Sequence, residues 1–118
     1  MTTRSPRALA GLALLLAAIW GASLWARTAL PLALGAEVAA SAKPGDIMMF
    51  GATDCVYCAR AARWFDWHGI AYARCEIDRD AVCAAAFRDR GGIGTPLMVV
   101  RGRAQSGWDP QAIADALR

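Results

Sequence analysis

Residues 46–58 read Asp46-Ile47-Met48-Met49-Phe50-Gly51-Ala52-Thr53-Asp54-Cys55-Val56-Tyr57-Cys58, and the fold turns on this stretch. Residues 47–50 form a continuous apolar run, the pattern of a strand covered on both faces. The run stops at Gly51. After a short loop, residues 58–68 set Ala61, Ala62, Trp64 and Phe65 at helical spacing, and Gly69 stands where a helix closes in the left-handed conformation. A Cys-x-x-Cys pair therefore lies where a buried strand gives way to a helix. There, unpaired backbone N–H groups and the positive end of the helix dipole stabilise a thiolate, so Cys55 can be a nucleophile near neutral pH. Cys58 is close enough to attack the Cys55 sulfur and release a bound thiol, leaving an intramolecular bond.

Moving toward the C-terminus, residues 70–78 alternate, with Ala71, Ala73, Cys75 and Ile77 opposing Tyr72, Arg74, Glu76 and Asp78. That is the pattern of a half-buried strand. Asp80 can cap a second helix on which Val82, Cys83, Ala86 and Phe87 share a face, and Gly91 and Gly92 end it. Residues 96–100 are a third, apolar strand. Gly102 permits a turn, and residues 104–106 complete a hairpin. Asp109-Pro110 gives an N-cap followed by proline at the first helical position, with Ile113, Ala114 and Leu117 facing inward. The expected order is β-α-β-α-β-β-α: a four-stranded mixed sheet with three helices, its first two strands parallel, its last two antiparallel, and helices on both faces.

Other readings of the cysteines are weaker for Cys55 and Cys58 than for the second pair. A two-residue loop closes little chain entropy, so Cys55–Cys58 is a poor purely structural staple. A four-cysteine zinc site needs a second close pair, and Cys75-x7-Cys83 is not one; no metal ligand is assigned. Cys75 and Cys83 themselves stay open between a structural disulfide, two buried free thiols and a relay pair, because spacing does not fix their Cα separation. His68, the sole histidine, suits a polar helix end and receives no catalytic role. Trp64 and Trp67 suit helix packing, whereas Trp108 suits either the core or a substrate-facing aromatic.

These residues resemble the glutaredoxin family of the thioredoxin-fold superfamily. CVYC looks like the family's Cys-Pro-Tyr-Cys with valine for proline, GIGTPLMVV resembles its Thr-Pro before the third strand, and SGWDP resembles the Gly-x-Asp segment that opens the last helix. The resemblance spans roughly residues 46–118. It implies a thioredoxin-like α/β fold and a thiol-disulfide oxidoreductase with Cys55 and Cys58 as catalytic residues. It also implies a cis-proline at Pro96 beside the disulfide. Substrate binding would fall to Tyr57, Thr95, Pro96, Gly107, Trp108 and Asp109, with glutathione as a co-substrate rather than a bound cofactor. Two departures bear on substrate. Asp54 directly precedes Cys55, and a nearby carboxylate opposes thiolate formation. The loop also lacks the cation that glutaredoxins often carry there for glutathione. Cys-x-Tyr-Cys is similar, too, to periplasmic disulfide isomerase sites, so protein disulfides stand beside glutathione mixed disulfides as substrates. The electron donor and the direction of exchange are left open.

The chain has 118 residues, 57% hydrophobic and 19% charged, and the average hides an uneven split. Before Ala42 the only charges are Arg4, Arg7, Arg27 and Glu37. The near-neutral remainder gives no electrostatic case for nucleic acid. Residues 8–26 carry no charge and as a helix would span about 28 Å, close to a bilayer core. Trp20 and Trp25 suit an interfacial position, and Arg4 and Arg7 favour a cytoplasmic N-terminus. This predicts a single-pass anchor over residues 1–28, with the membrane contacted through residues 8–26. Pro31 would stop the helix, residues 29–44 would be a linker, and residues 45–118 the folded domain outside the cytoplasm. Gly21-Ala22-Ser23 would also suit signal peptidase, so a cleaved signal peptide competes with the anchor. The competing functional class is a tethered, non-enzymatic module that is redox-inert or carries a thiol or metal.

Overall fold

The computed structural model describes residues 6–118. Arg4, one of the two N-terminal arginines that bear on topology, lies outside them. The chain divides into two compact units, one through Ala33 and one from Leu34 to Arg118.

Helix α1 is Pro6–Ser41, with Pro31 inside it. Over its N-terminal unit it is apolar on all sides, and Leu14, Trp20 and Trp25 are each more than 70% exposed. A helix with no polar face needs an apolar surround. Its hydroxyls are satisfied within the helix: Ser23 Oγ donates to the Ile19 carbonyl at 2.8 Å and Thr28 Oγ1 to that of Trp25 at 3.0 Å. It is long and apolar enough to cross a membrane, as a signal sequence also is.

Two expectations are corrected here. Pro31 does not stop the helix, and residues 29–41 are helical rather than linker. Proline removes one intrahelical hydrogen bond, but the Ala- and Leu-rich flanks favour helix and the last turns gain tertiary packing. Val38 is fully buried among the residues of the folded domain, and Leu34, Ala39 and Ala42 pack against the same cluster.

The folded domain follows the expected order. Its elements are β1 (Ile47–Gly51), α2 (Val56–His68), β2 (Ala73–Glu76), α3 (Ala81–Asp89), β3 (Leu97–Val100), β4 (Arg103–Ser106) and α4 (Pro110–Leu117). The sheet order is β2-β1-β3-β4, with β1 and β2 parallel and the other pairs antiparallel. Strand alternation divides the core. Ile47, Met49, Met98 and Val100 meet Val38 and the α2 and α4 residues Phe65 and Ile113 on one face. Phe50, Leu97 and Val99 meet Phe87 of α3 on the other. Asp80 and Asp109 cap α3 and α4, each carboxylate accepting two backbone N–H groups.

Strand β2 is shorter than the alternation over residues 70–78 predicts. It lies at a sheet edge, and only the residues facing β1, from Met48↔Ala73 to Gly51↔Glu76, find a ladder. The face read as solvent-side is also partly covered: Tyr72 packs against the α2 side of the core, its ring 4.5 Å from that of Phe65.

Candidate functional site

Parallel pairing brings the C-terminal ends of β1 and β2 to one edge, and the loops leaving them meet there. The amide of Ile77 donates to the Gly51 carbonyl at 2.9 Å. Thr53 N–H donates to Asp78 Oδ2 at 2.9 Å, and Arg79 Nε donates to Thr53 Oγ1 at 3.2 Å. The Thr53 hydroxyl and amide hold the Asp78 carboxyl below its ordinary value, keeping it ionised. The loop before the cysteines is thus pinned from the β2 side.

Cys55 is the N-cap of α2, with an extended backbone, φ −92° and ψ 106°. Its Sγ accepts the Cys58 amide at 3.1 Å, which is the bond a capping oxygen ordinarily makes. The two cysteines are joined as a disulfide with Cα atoms 5.2 Å apart. Their surroundings differ: Cys58 is 1% exposed, whereas Cys55 is half-buried at the mouth of a cleft. An incoming sulfur can reach only the outer one.

The cleft is open, about 470 Å³, and lined by Ala52, Asp54, Cys55, Val56, Tyr57, Asp78 and Thr95. Tyr57 is 62% exposed and carries the Arg60 guanidinium 5.5 Å from its ring centroid. The Thr95–Pro96 peptide is cis, and Pro96 is fully buried behind Thr95. The Gly107 amide donates to the Pro96 carbonyl at 2.9 Å, tying the β4–α4 turn to the proline segment.

Of the sequence-derived substrate residues, Tyr57 and Thr95 therefore share the cleft with Cys55, and Pro96 supports it. Gly107, Trp108 and Asp109 do not line it. Trp108 packs against the core, edge-on to Trp64 with ring centroids 5.9 Å apart. The Asp109 carboxylate is spent on the cap of α4. Asp78, Ala52 and Val56 were missed as lining residues. Asp78 could have been found, because it lies two residues past the end of β2 and a strand parallel to β1 must end at the same edge. Cys75 and Cys83 are also bonded, Cα atoms 5.3 Å apart, joining β2 to α3.

A four-stranded mixed sheet flanked by helices, with a cysteine pair opening the first helix after β1 and a cis-proline before β3, defines a thioredoxin-fold domain. Residues 47–104 match the Glutaredoxin family model, and the folded part of this chain belongs to that family. Among solved structures the chain is similar to a thioredoxin-like protein in mutant form, at 20% identity and a TM-score of 0.56, covering 62% of this chain and 95% of that one. It is similar also to a glutaredoxin from Archaeoglobus fulgidus, at 16% identity and a TM-score of 0.51, covering 62% and 86%. A mutated buckwheat glutaredoxin matches at 21% identity and a TM-score of 0.50, covering 76% and 93%. At these identities the likeness speaks to fold alone. No curated protein is significantly similar to the sequence.

Proposed function

We propose that the protein is a thiol-disulfide oxidoreductase working by dithiol exchange. The observation that carries this is the position of Cys55: its sulfur stands as the N-cap of α2 and accepts a backbone amide, while its partner is sealed in the core. In the reduced protein the same amide and helix dipole would favour the Cys55 thiolate. That thiolate attacks one sulfur of a substrate disulfide and expels the other as a thiolate. Cys58 then attacks Cys55 Sγ, the mixed bond breaks, and the second substrate thiolate leaves. The substrate is reduced as the protein dithiol is oxidised.

The cleft favours protein disulfides over glutathione mixed disulfides as substrate. Asp54 and Asp78 line it, no lysine or arginine does, and glutathione brings net negative charge of its own. We further propose that α1 anchors the chain as a single span, with the domain outside the cytoplasm. An oxidising compartment suits two bonded cysteine pairs.

Turnover of a protein disulfide and of a glutathione mixed disulfide should be measured with the full chain in detergent micelles. Cys55→Ser is expected to abolish both, and Cys58→Ser to accumulate a mixed disulfide on Cys55. Undiminished turnover in Cys55→Ser would refute the mechanism and leave a non-enzymatic module as the reading.

A further inference from the structure

The resolving step requires Cys58 to lose a proton, yet its thiol is buried and no residue assigned so far can take that proton. Glu76, at the end of β2, stands beside it. Its Oε1 is paired with Arg74 Nη2 at 2.5 Å, whereas its Oε2 is buried and has no hydrogen-bond partner. A buried carboxylate oxygen left unpaired is costly, so its retention calls for an explanation.

Gly51 shows where that oxygen points. A Cβ built on Gly51 would lie 3.5 Å from Cys58 Sγ and 3.5 Å from Glu76 Oε2, so the sulfur and the carboxylate border the same side-chain-free space and lie no more than about 7 Å apart. Every other residue type would put a Cβ there. Glu76 also lines an open pocket of about 280 Å³ with Thr53, Arg74 and Arg79, a route by which a proton can reach solvent.

We infer that Glu76 is the proton acceptor for Cys58 during resolution, acting across the gap that Gly51 leaves. The inference rests on the dithiol reading above. Once Cys55 carries the mixed disulfide, the Cys58 proton passes to Glu76 Oε2, directly or through one water. The Cys58 thiolate attacks Cys55 Sγ, the intramolecular bond forms, the substrate thiolate departs, and Glu76 releases its proton to solvent. In the reverse direction Glu76 returns the proton to Cys58 as the disulfide opens. The groups facing Glu76 are Arg74 on its own strand, Arg79 and Thr53 from the adjoining loops, and Cys58 from α2. Arg74 holds Oε1, which leaves Oε2 as the oxygen free to accept.

The test separates the two sulfur steps. The reduced full chain in micelles is mixed with dithiobis(nitrobenzoate), whose thiolate product is coloured. Attack by Cys55 releases the first equivalent, and resolution by Cys58 releases the second. Glu76→Gln keeps the shape and removes the base; Gly51→Ala keeps the base and places a methyl in contact with both the carboxylate and the sulfur. Near pH 6.5 both variants are expected to slow the second phase by about a hundredfold, the lower end of general-base effects, with the first phase within about twofold of the parent. The Glu76→Gln second phase should climb steeply with pH and approach the parent near pH 9, where solvent removes the proton unaided. A purely structural role would slow both phases, or slow the second equally at every pH, and either result overturns the inference. So does a second phase unchanged in both variants. Should Glu76→Gln fail to fold, Gly51→Ala carries the test, since its added methyl makes only ordinary contacts. Absence of any Cys55-dependent first phase would instead refute the dithiol reading itself.

Discussion

Asp46 shows how a single side chain at the entrance to β1 can contribute to the acid limit of the fold. Its Oδ2 accepts the Lys43 amide at 3.0 Å and the Arg101 guanidinium at 3.1 Å. Those bonds, the amide first, hold its carboxyl below the ordinary value of 3.8. Because the folded state binds the proton less readily than the unfolded chain, the contribution to stability is fully present above that ordinary value. It is lost as pH falls through the lower, folded value. Asp78 behaves in the same sense through Thr53. Melting temperature followed between about pH 7 and pH 2.5 should fall below about pH 4 in the parent chain. Asp46→Asn should begin lower at neutral pH and show a shallower acid decline; parallel curves would show that this carboxylate contributes nothing. At this scale the sequence was legible where spacing implies chemistry. Cys55 and Cys58 stood out because motif and element boundary coincide, whereas Tyr57, Thr95 and Pro96 came only with the family resemblance. Gly51 read only as a strand end and Glu76 only as the polar side of an alternation. Their meeting depends on the Gly51↔Glu76 register, which no local pattern encodes.

Element by element, the α/β order was readable because each boundary carries its own chemistry: Gly69 in the left-handed conformation closes α2, and Asp80 and Asp109 cap the next two helices. The failure fell on α1. Proline after an apolar run reads locally as a helix end, and nothing nearby announces that Val38 inserts into a core built from residues beyond 46. The last turns are fixed further by Arg101, which donates to the Leu117 carbonyl at 2.6 Å and to the Ser41 carbonyl at 3.5 Å. Arg118 reaches Glu37 as well, its Nη2 to Oε1 distance being 2.8 Å. A soluble domain starting at residue 34 should therefore unfold at a higher temperature than one starting at residue 44. Within the longer piece, Val38→Ala should cost about 1 to 3 kcal/mol in denaturant unfolding, from two buried carbons at about 0.8 kcal/mol each plus a cavity contribution. Equal stability of the two pieces would mean that the end of α1 adds no packing.

For the whole molecule, the apolar excess noted in the sequence resolves into two uses of one helix. From Leu34 onward α1 serves the core; before that its leucines and tryptophans are exposed on every side, and water is a poor solvent for such a surface. A bilayer is a good one, and the intrahelical bonds of Ser23 and Thr28 leave no side-chain hydroxyl of the span needing water. Arginines precede the apolar run, so the N-terminus should remain cytoplasmic and the cleft should face the other compartment. With the full chain expressed in a bacterial host, the protein should stay in the membrane fraction after alkaline carbonate washing. A C-terminal fusion to alkaline phosphatase, which folds only after export, should be active. Removal of residues 1–33 should move the protein to the soluble cytoplasmic fraction and silence the fusion. A soluble exported form with a new N-terminus just after Ser23 would identify the segment as a signal peptide. An inactive fusion on the membrane-bound chain would place the cleft in the cytoplasm, where the reducing thiol pool would hold Cys75 and Cys83 open and the case for protein disulfides as substrate would fall with the location.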